Sequence, residues 1–454
     1  MLFAFLLLAS FADWVPMRWT PADAASLNLL DGTPVNCLLL ESPRWSPDLL
    51  AAAHKRNLAV LGIVRPGDDA QDRVRKAAEV HLDGVVLEGD FPADQRTRLR
   101  SFLSDSKLAI VDLPSRANMR FDERPVVGTY QGVWPGVAAE DDGKAKAAPS
   151  GAPWINTNGG FLRFVRANAP DATIWLGNLP PADTIITPER YMQAICDASI
   201  IGARWIVALD DDLWKRLTAH EANAVRDWKK IAGQLAWFES HKEWRTMQPL
   251  SELALVQDID SGALYSGGVL DMIAVKHTPV RPVPTHKLSP ASMEGVKMAV
   301  NVDPTGLSEA QKSELQAFRR QGGSTLSGPA TWKFPPVTKD HLTLSDEDVK
   351  MLDDIWKEMN SMTGRRNLGA RLFNVSSMLS NLVESTDGKH AALHLVNYSG
   401  YPVENVTVHM LGKYKSATLV APGAEPRKLQ LYDNEEGSGV DIDAIGVTAT
   451  LLLE

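Results

Sequence analysis

One pattern recurs through the first half of this chain and constrains its fold more than any other. A short apolar run ends abruptly in a carboxylate or an amide. Leu82–Phe91 (LDGVVLEGDF) is the clearest case. Asp83-Gly84 makes a turn, Val85, Val86 and Leu87 suit a strand buried on both faces, and Glu88 and Asp90 arrive where the strand should end. Trp205–Asp212 (WIVALDDD) repeats the switch, and Val35–Glu41, Leu108–Asp112 and Ile174–Asn178 repeat it more weakly. Buried strands finishing in polar residues and alternating with helical stretches are the sequence form of a TIM-like (β/α) barrel, whose chemistry sits at the carboxyl ends of its strands. A doubly wound sheet is the alternative. Polar ends spread over nearly every strand favour the barrel.

The alternation predicts strands at Val35–Glu41, Ala59–Arg65, Leu82–Glu88, Leu108–Leu113, Val126–Trp134, Thr173–Asn178 and Arg204–Asp210. Helices are expected at Pro47–Lys55, Ala70–Val80, Ala93–Ser104, within Trp154–Asn168, at Pro188–Ile201 and along Leu213–Trp244. Gly136–Gly151, rich in Ala, Gly, Asp and Lys, reads as an exposed mobile loop. An eighth strand finds no place between Trp244 and Pro249, so the barrel is either incomplete or closed by an irregular segment.

A second α/β unit begins at Leu253. It has strands at Leu253–Asp258, Val296–Val302 and Ser324–Ser327, and helices at Tyr265–Ile273 and Ser308–Gln321. Ser308 reads as the N-cap of the latter helix and Gly322 as its stop. Pro335-Pro336 marks a linker, and Ser345–Thr363 reads as a further helix with acids in its first turn. From Ala370 the pattern turns to period two. Short runs such as Leu393–Tyr398, Val403–Met410, Ala417–Val420, Lys428–Tyr432 and Val447–Leu453, separated by Gly, Pro and Asp turns, read as a small β-sandwich.

With 454 residues the chain is too long for one core. A net charge of −9 and the lack of any Lys/Arg run with interleaved aromatics argue against a nucleic-acid partner. Met1–Ala12 (MLFAFLLLASFA) ends in a small-residue site and reads as a secretory signal without its positive n-region, which predicts a secreted or periplasmic protein. No later stretch reaches the ~18 uninterrupted apolar residues of a membrane span. Cys37 and Cys196 read as buried small hydrophobes, with no CxxC signature. The ten His show no HExxH or HxH spacing, and neither a Walker loop nor GxGxxG nor GxSxG occurs, so no metal or cofactor is expected.

In this order, the three pieces resemble the glycoside hydrolase family 42 β-galactosidases and related bacterial glycosidase-like proteins. VNVDPTGLSEAQKSELQAFRRQGGSTLSGP is similar to part of their trimerisation domain, and LHLVNYSGYPVENVTV to part of their C-terminal sandwich. After the signal segment at 1–12, the resemblance implies a barrel at 13–248, a glutamine-amidotransferase-like α/β domain at 249–368 and a β-sandwich at 369–454. It also implies a carbohydrate substrate and a homo-oligomer built through the second domain. Neither Cys lies in that domain, so amidotransferase activity is not expected of it. The family carries catalytic Glu residues on its fourth and seventh strands, the first preceded by Asn. No Asn-Glu pair stands at the fourth strand here, so those roles do not transfer.

The residues themselves supply candidates. Glycoside cleavage needs two carboxyls flanking the scissile bond, about 5–5.5 Å apart for retention and about 6.5–9.5 Å for inversion. Glu88 and Asp210, which end the two most clearly buried strands, are the first pair. Glu41, Asp90, Asp112 and Asp211 come next. The competing reading has these acids capping helices or pairing with Arg65, Arg204 or Arg44. Tyr130, Gln131 and Trp134 in TYQGVWPG, and Trp154 and Asn156 in APWINTN, combine aromatics with amides as a sugar platform would. Trp134 packed under the loop is the alternative. Asn178 ends its strand where it could hold a sugar hydroxyl or cap a helix. Two functions therefore stand: a glycoside hydrolase acting on an oligosaccharide or polysaccharide fragment, or a catalytically silent carbohydrate-binding or structural barrel. A polysaccharide lyase using Tyr130 is a third, with no partner for that residue in the sequence.

Overall fold

The computed structural model describes residues 11–106, 108–123, 125–135, 157–257, 278–301, 306–327, 366–375 and 377–454, with short pieces between 139 and 155 and between 347 and 364. Most of the expected signal, helix Tyr265–Ile273, the Pro335-Pro336 linker and most of helix Ser345–Thr363 lie outside the described residues. The chain divides into two units. One comprises Met1–Gly132, Asp171–Pro188 and Ala203–Glu239. The other comprises Val133–Pro170, Glu189–Gly202 and Ser240–Glu454.

The first unit holds eight strands: β1 (Pro16–Arg18), β2 (Cys37–Leu40), β3 (Ala59–Val64), β4 (Gly84–Glu88), β5 (Ala109–Leu113), β6 (Val126–Thr129), β7 (Thr173–Gly177) and β8 (Ala203–Ile206). β1 through β5 pair in sequence order as one parallel sheet, and β6, β7 and β8 form a second parallel sheet. A parallel bridge from Met17 to Val207 joins β1 to the end of β8. There Arg18 N donates to Val207 O at 2.8 Å. β5 and β6 lie side by side, since a Cβ added to Gly128 would stand 2.6 Å from Leu113 Cδ2. This is barrel order. Glycine is required where β4 starts, because a Cβ on Gly84 would meet Ala109 O at 2.5 Å.

The order corrects one expectation. Val35–Glu41 is the second strand of the series, not the first, and the missing eighth is β1, ahead of it. Three residues opening on proline carry no readable periodicity. Gln248–Pro249, at the end of the stretch that offers no eighth strand, pairs antiparallel with strand Met378–Glu384 in the second unit.

Strand side chains alternate between faces. Cys37, Leu39, Leu61, Ile63, Val86, Val111, Leu113, Val126, Trp175 and Ile206 form one buried cluster, which marks the inward parity of each strand. Helix Pro47–Lys55 starts on Ser46, whose Oγ accepts from Leu49 N, with proline in the first turn. The single long helix expected over Leu213–Trp244 is two, Asp211–Thr218 and Ala222–Glu239, because His220 between them takes a left-handed φ of 55°.

In the second unit a four-stranded parallel sheet runs in the order Arg281–Pro284, Leu253–Gln257, Met298–Asn301, Ser324–Ser327. Helix Glu309–Arg320 covers part of it through Leu315 and Phe318. Ser308 and Gln311 close a reciprocal capping box, and Gly322 follows the helix at φ 97°. Two antiparallel sheets complete the unit around a shared core that includes Met378, Leu393, Leu395, Val408, Ile442 and Leu451. One of their strands, Gly437–Ile445, was not expected from sequence. Its glycines and aspartates read as a turn, yet Val440 and Ile442 are buried while Asp441 and Asp443 face out. Within Gly136–Gly151, read as a loop, Ala139–Asp141 and Lys144–Lys146 pair as antiparallel strands.

Candidate functional site at the strand ends

Extending the inward parity past the last apolar residue of each strand reaches a charged group four times. Leu39 leads to Glu41, Ile63 to Arg65, and Val86 to Glu88. Arg18 of β1 stands in register with Leu39. The carboxyl ends of four successive strands thus present Arg, Glu, Arg, Glu. Arg65 grips Glu41 with two parallel bonds, Nη1 to Oε2 at 2.8 Å and Nη2 to Oε1 at 2.6 Å. It also reaches Glu88 Oε1 through Nε at 3.1 Å and Nη2 at 2.9 Å. Arg18 Nη2 donates to Glu88 Oε2. The Glu41 bonds and both neighbouring carboxylates hold the Arg65 guanidinium proton more tightly than usual, against the effect of its burial.

Within this quartet burial is uneven. The Arg18 and Glu88 side chains are 7% exposed, whereas Glu41 is 43% exposed. Arg18 Nε and Nη1 are buried without a hydrogen-bond acceptor, although Nη1 lies 3.9 Å from Glu41 Oε1. Glu41 also occupies the cap position of a short helical turn, Ser42–Arg44, but its side chain makes no cap bond.

The other candidates are placed elsewhere. Asp112 has the opposite parity, between inward Val111 and Leu113, and meets Arg96 and Arg100 of helix Ala93–Ser106, which also bind Glu123. It does not join Glu41 and Glu88. Asp210 is 4% exposed and caps helix Asp211–Thr218. Its Oδ1 accepts from Leu213 N at 2.9 Å and its Oδ2 from Ile186 N at 3.2 Å. Asp211 is exposed in the first turn of that helix. Asp90 Oδ1 accepts from Ser115 N at 3.0 Å. Gln131 Oε1 accepts from Arg116 N at 2.8 Å, and Asn178 Nδ2 donates to Gly132 O at 2.8 Å, so both amides brace loops. Tyr130 packs half-buried against the inward cluster. Trp134 belongs to the second unit. It is 4% exposed, edge-on to Tyr191 with ring centroids 5.3 Å apart. Trp154 is described by its backbone alone, and Asn156 lies outside the described residues.

The sequence offers Arg65 only as a competing ion-pair partner, which is what it is to Glu88. Arg204 turns instead to Glu239, at 3.0 Å through two bonds. Arg18 was missed altogether. A cation one strand before the first acid-terminated run was the available signal, and it was hidden because β1 is so short. Among the described residues no group of three His, Cys, Asp or Glu could hold a metal ion, and no helix is long and apolar enough to cross a membrane.

Parallel strands in barrel order, with charged side chains gathered at their carboxyl ends, define a mixed α/β architecture of the barrel kind. Its fold is similar to that of α-L-fucosidase isoenzyme 2 from Paenibacillus thiaminolyticus. That likeness has a TM-score of 0.61 and 10% identity over 97% of this chain and 99% of the other. Looser likenesses are to trehalose-6-phosphate hydrolase from Bacillus licheniformis (TM-score 0.38, 10% identity, 98% and 99% covered) and to the glycoside hydrolase domain of PelA from Pseudomonas aeruginosa (0.28, 12%, 43% and 94%). The neighbours are glycoside hydrolases without pointing to family 42 in particular. No protein-family model matches the chain, and no curated protein matches it by sequence.

Proposed function

We propose that this chain is a glycoside-hydrolase-like protein that engages an oligosaccharide or polysaccharide fragment at the carboxyl ends of β1–β8. The observation that carries the reading is the Arg18–Glu41–Arg65–Glu88 quartet, inward-facing at the end of a barrel where active sites of this architecture lie. Glu41 and Arg65 are the members a sugar can reach, being 43% and 40% exposed. Glu88, braced from both sides, suits a carboxylate that positions its neighbours or offsets developing positive charge. Glu88 and Asp210 remain the proposed catalytic pair.

A second reading, a catalytically silent carbohydrate-binding barrel, has its own observation. Both oxygens of Glu88 already accept from arginines, and both oxygens of Asp210 accept from backbone amides. A proton donor needs a carboxyl that can turn toward the leaving group.

A panel of aryl glycosides and of plant and bacterial polysaccharides separates the two. Turnover that disappears in Glu41→Gln and in Asp210→Asn, both still folded by circular dichroism, supports hydrolysis at this rim. Saturable binding of a fragment without turnover supports the silent reading. Turnover left intact in both variants removes the rim from the chemistry.

A further inference from the structure

One sheet of the C-terminal sandwich turns its outer face to solvent, and that face carries rings. Strands Ala370–Phe373, Val403–Leu411, Gly437–Ile445 and Tyr432–Asp433 pair in that order. Leu372, Val408 and Val440, like Val406 and Ile442 beside them, send one parity into the sandwich core. The other parity therefore points out. Register sets it in two rows. Arg371, His409, Gly439 and Tyr432 share the first, and Phe373, Thr407 and Asp441 the second. Phe373 and Tyr432 are each 36% exposed. His409 stands between them, its ring centroid 4.9 Å from that of Phe373 and 6.0 Å from that of Tyr432. A lone exposed ring needs no explanation, but three contiguous ones make a patch. Tyr432 is also held in place. A Cβ added to Gly439 would come within 2.4 Å of its ring, and its hydroxyl stands 3.3 Å from His409 Nε2. A ring fixed in advance loses little freedom when a ligand covers it.

The charges on this face decide what kind of ligand suits it. Arg371 pairs with Glu436 at 3.4 Å, and its guanidinium already covers the Phe373 ring, 5.3 Å from the centroid. Lys413 pairs with Asp433 at 3.4 Å, and Arg427 with Asp443. Asp441 is exposed, accepts from Thr407 Oγ1 at 2.7 Å and forms no ion pair among the described residues. It lies close enough to Tyr432 to add to the effect of burial in raising that phenol's pKa. The balance is slightly negative, which disfavours phosphates and acidic sugars. The guanidinium over Phe373 takes the place a cationic ligand would seek. A neutral polyol is what remains. Its C–H faces can lie on the rings, and its hydroxyls can donate to Asp441. Three strand spacings of about 4.8 Å separate the outer strands, a span longer than one sugar ring.

We infer that this face of the sandwich is a binding surface for a neutral oligosaccharide or polysaccharide chain. It shares no residue with the strand ends of the first unit. Its test reads binding instead of turnover, so either reading can fail while the other stands.

Native affinity electrophoresis of the full chain tests it, since a net charge of −9 carries the protein through the gel. Gels are cast with starch, galactomannan or xyloglucan, and with polygalacturonate as the anionic control. The expected result is retardation by at least one neutral polysaccharide and none by polygalacturonate. Tyr432→Ala and Phe373→Ala should each weaken binding about tenfold, and the double variant should migrate as if no polysaccharide were present. Tyr432→Phe keeps the ring and should bind within about twofold of wild type. Phe373→Leu keeps apolar bulk without the ring and should lose as much as Phe373→Ala, which it replaces if circular dichroism shows the alanine variant unfolded. The inference is overturned if no neutral polysaccharide retards the wild type, or if polygalacturonate retards it equally. Retardation that survives in the folded double variant places the binding elsewhere, the strand ends included, and overturns it too. So does a concentration-dependent dimer in light scattering that the double variant abolishes, because the rings would then meet a second copy of the chain.

Discussion

Replacing Glu88 by Gln tests whether the quartet is a structural element of the first unit. Glu88 and Arg18 face each other with side chains 7% exposed. The substitution therefore removes the charge that compensates a buried guanidinium, which costs about 3–5 kcal/mol when one partner of a buried pair is lost. Arg65 adds little to that figure. It is 40% exposed and keeps its bidentate hold on Glu41, so its share is about 1 kcal/mol or less. Gln also presents an NH₂ where an oxygen accepted, so one guanidinium loses its acceptor as well as its counter-charge. Urea unfolding followed by tryptophan fluorescence, whose 13 emitters include the buried Trp175 and Trp205 of the first unit, reads the change. The double variant Arg18→Met/Glu88→Leu should recover most of the loss, because an apolar pair leaves no uncompensated charge. A loss below about 1 kcal/mol for Glu88→Gln would refute the reasoning, since that is the scale of an exposed ion pair.

Other outcomes follow from single contacts. Asp210→Ala should cost about 1–3 kcal/mol, from a lost N-cap and an orphaned Ile186 amide, while Asp210→Asn should recover much of it through its remaining acceptor; equal losses in the two variants would contradict the capping role. Burial lowers the His394 pKa to about 3 from an ordinary 6.5, with nearby His241 adding to the effect. The folded state therefore binds its proton less readily than the unfolded one. This contribution is complete above pH 6.5 and is lost as pH falls toward about 3, by up to a few kcal/mol, and His394→Gln should flatten that part of the stability–pH curve. Burial raises both cysteine thiols well above their usual range, so Cys37 and Cys196 should resist a thiol reagent at mildly alkaline pH in the native protein and react once it is unfolded. Trp134→Ala should cost about 3–5 kcal/mol if the ring is packing, as its burial against Tyr191 indicates, and a loss under about 1 kcal/mol would argue for a surface platform.

Much of the local structure was legible in the residue order. Ser308, Gln311 and Gly322 bracket their helix as a cap and stop should, because those interactions are made within a few residues of one another. The apolar runs of β2, β3, β4, β5, β7 and β8 marked strands buried on both faces, and their polar ends marked the rim. What the runs could not carry is parity. A strand apolar on both faces shows no alternation, so Glu88 and Asp112 look alike in sequence, each an acid at the end of a buried run. Tertiary packing separates them. Glu88 continues the inward line of Val86 and joins three other strand ends, whereas Asp112 stands one residue out of phase and turns to the arginines of a helix. β1 shows the same limit in another form. Three residues cannot declare a period, and only the pairing of Pro16–Arg18 with β2 on one side and Val207 on the other makes it a strand that delivers Arg18 to Glu88. Local propensities act through neighbours in the chain, and so the sequence alone determined most of the elements. Which charges meet depends on the register between strands far apart in the chain, and that was decided by the packed structure.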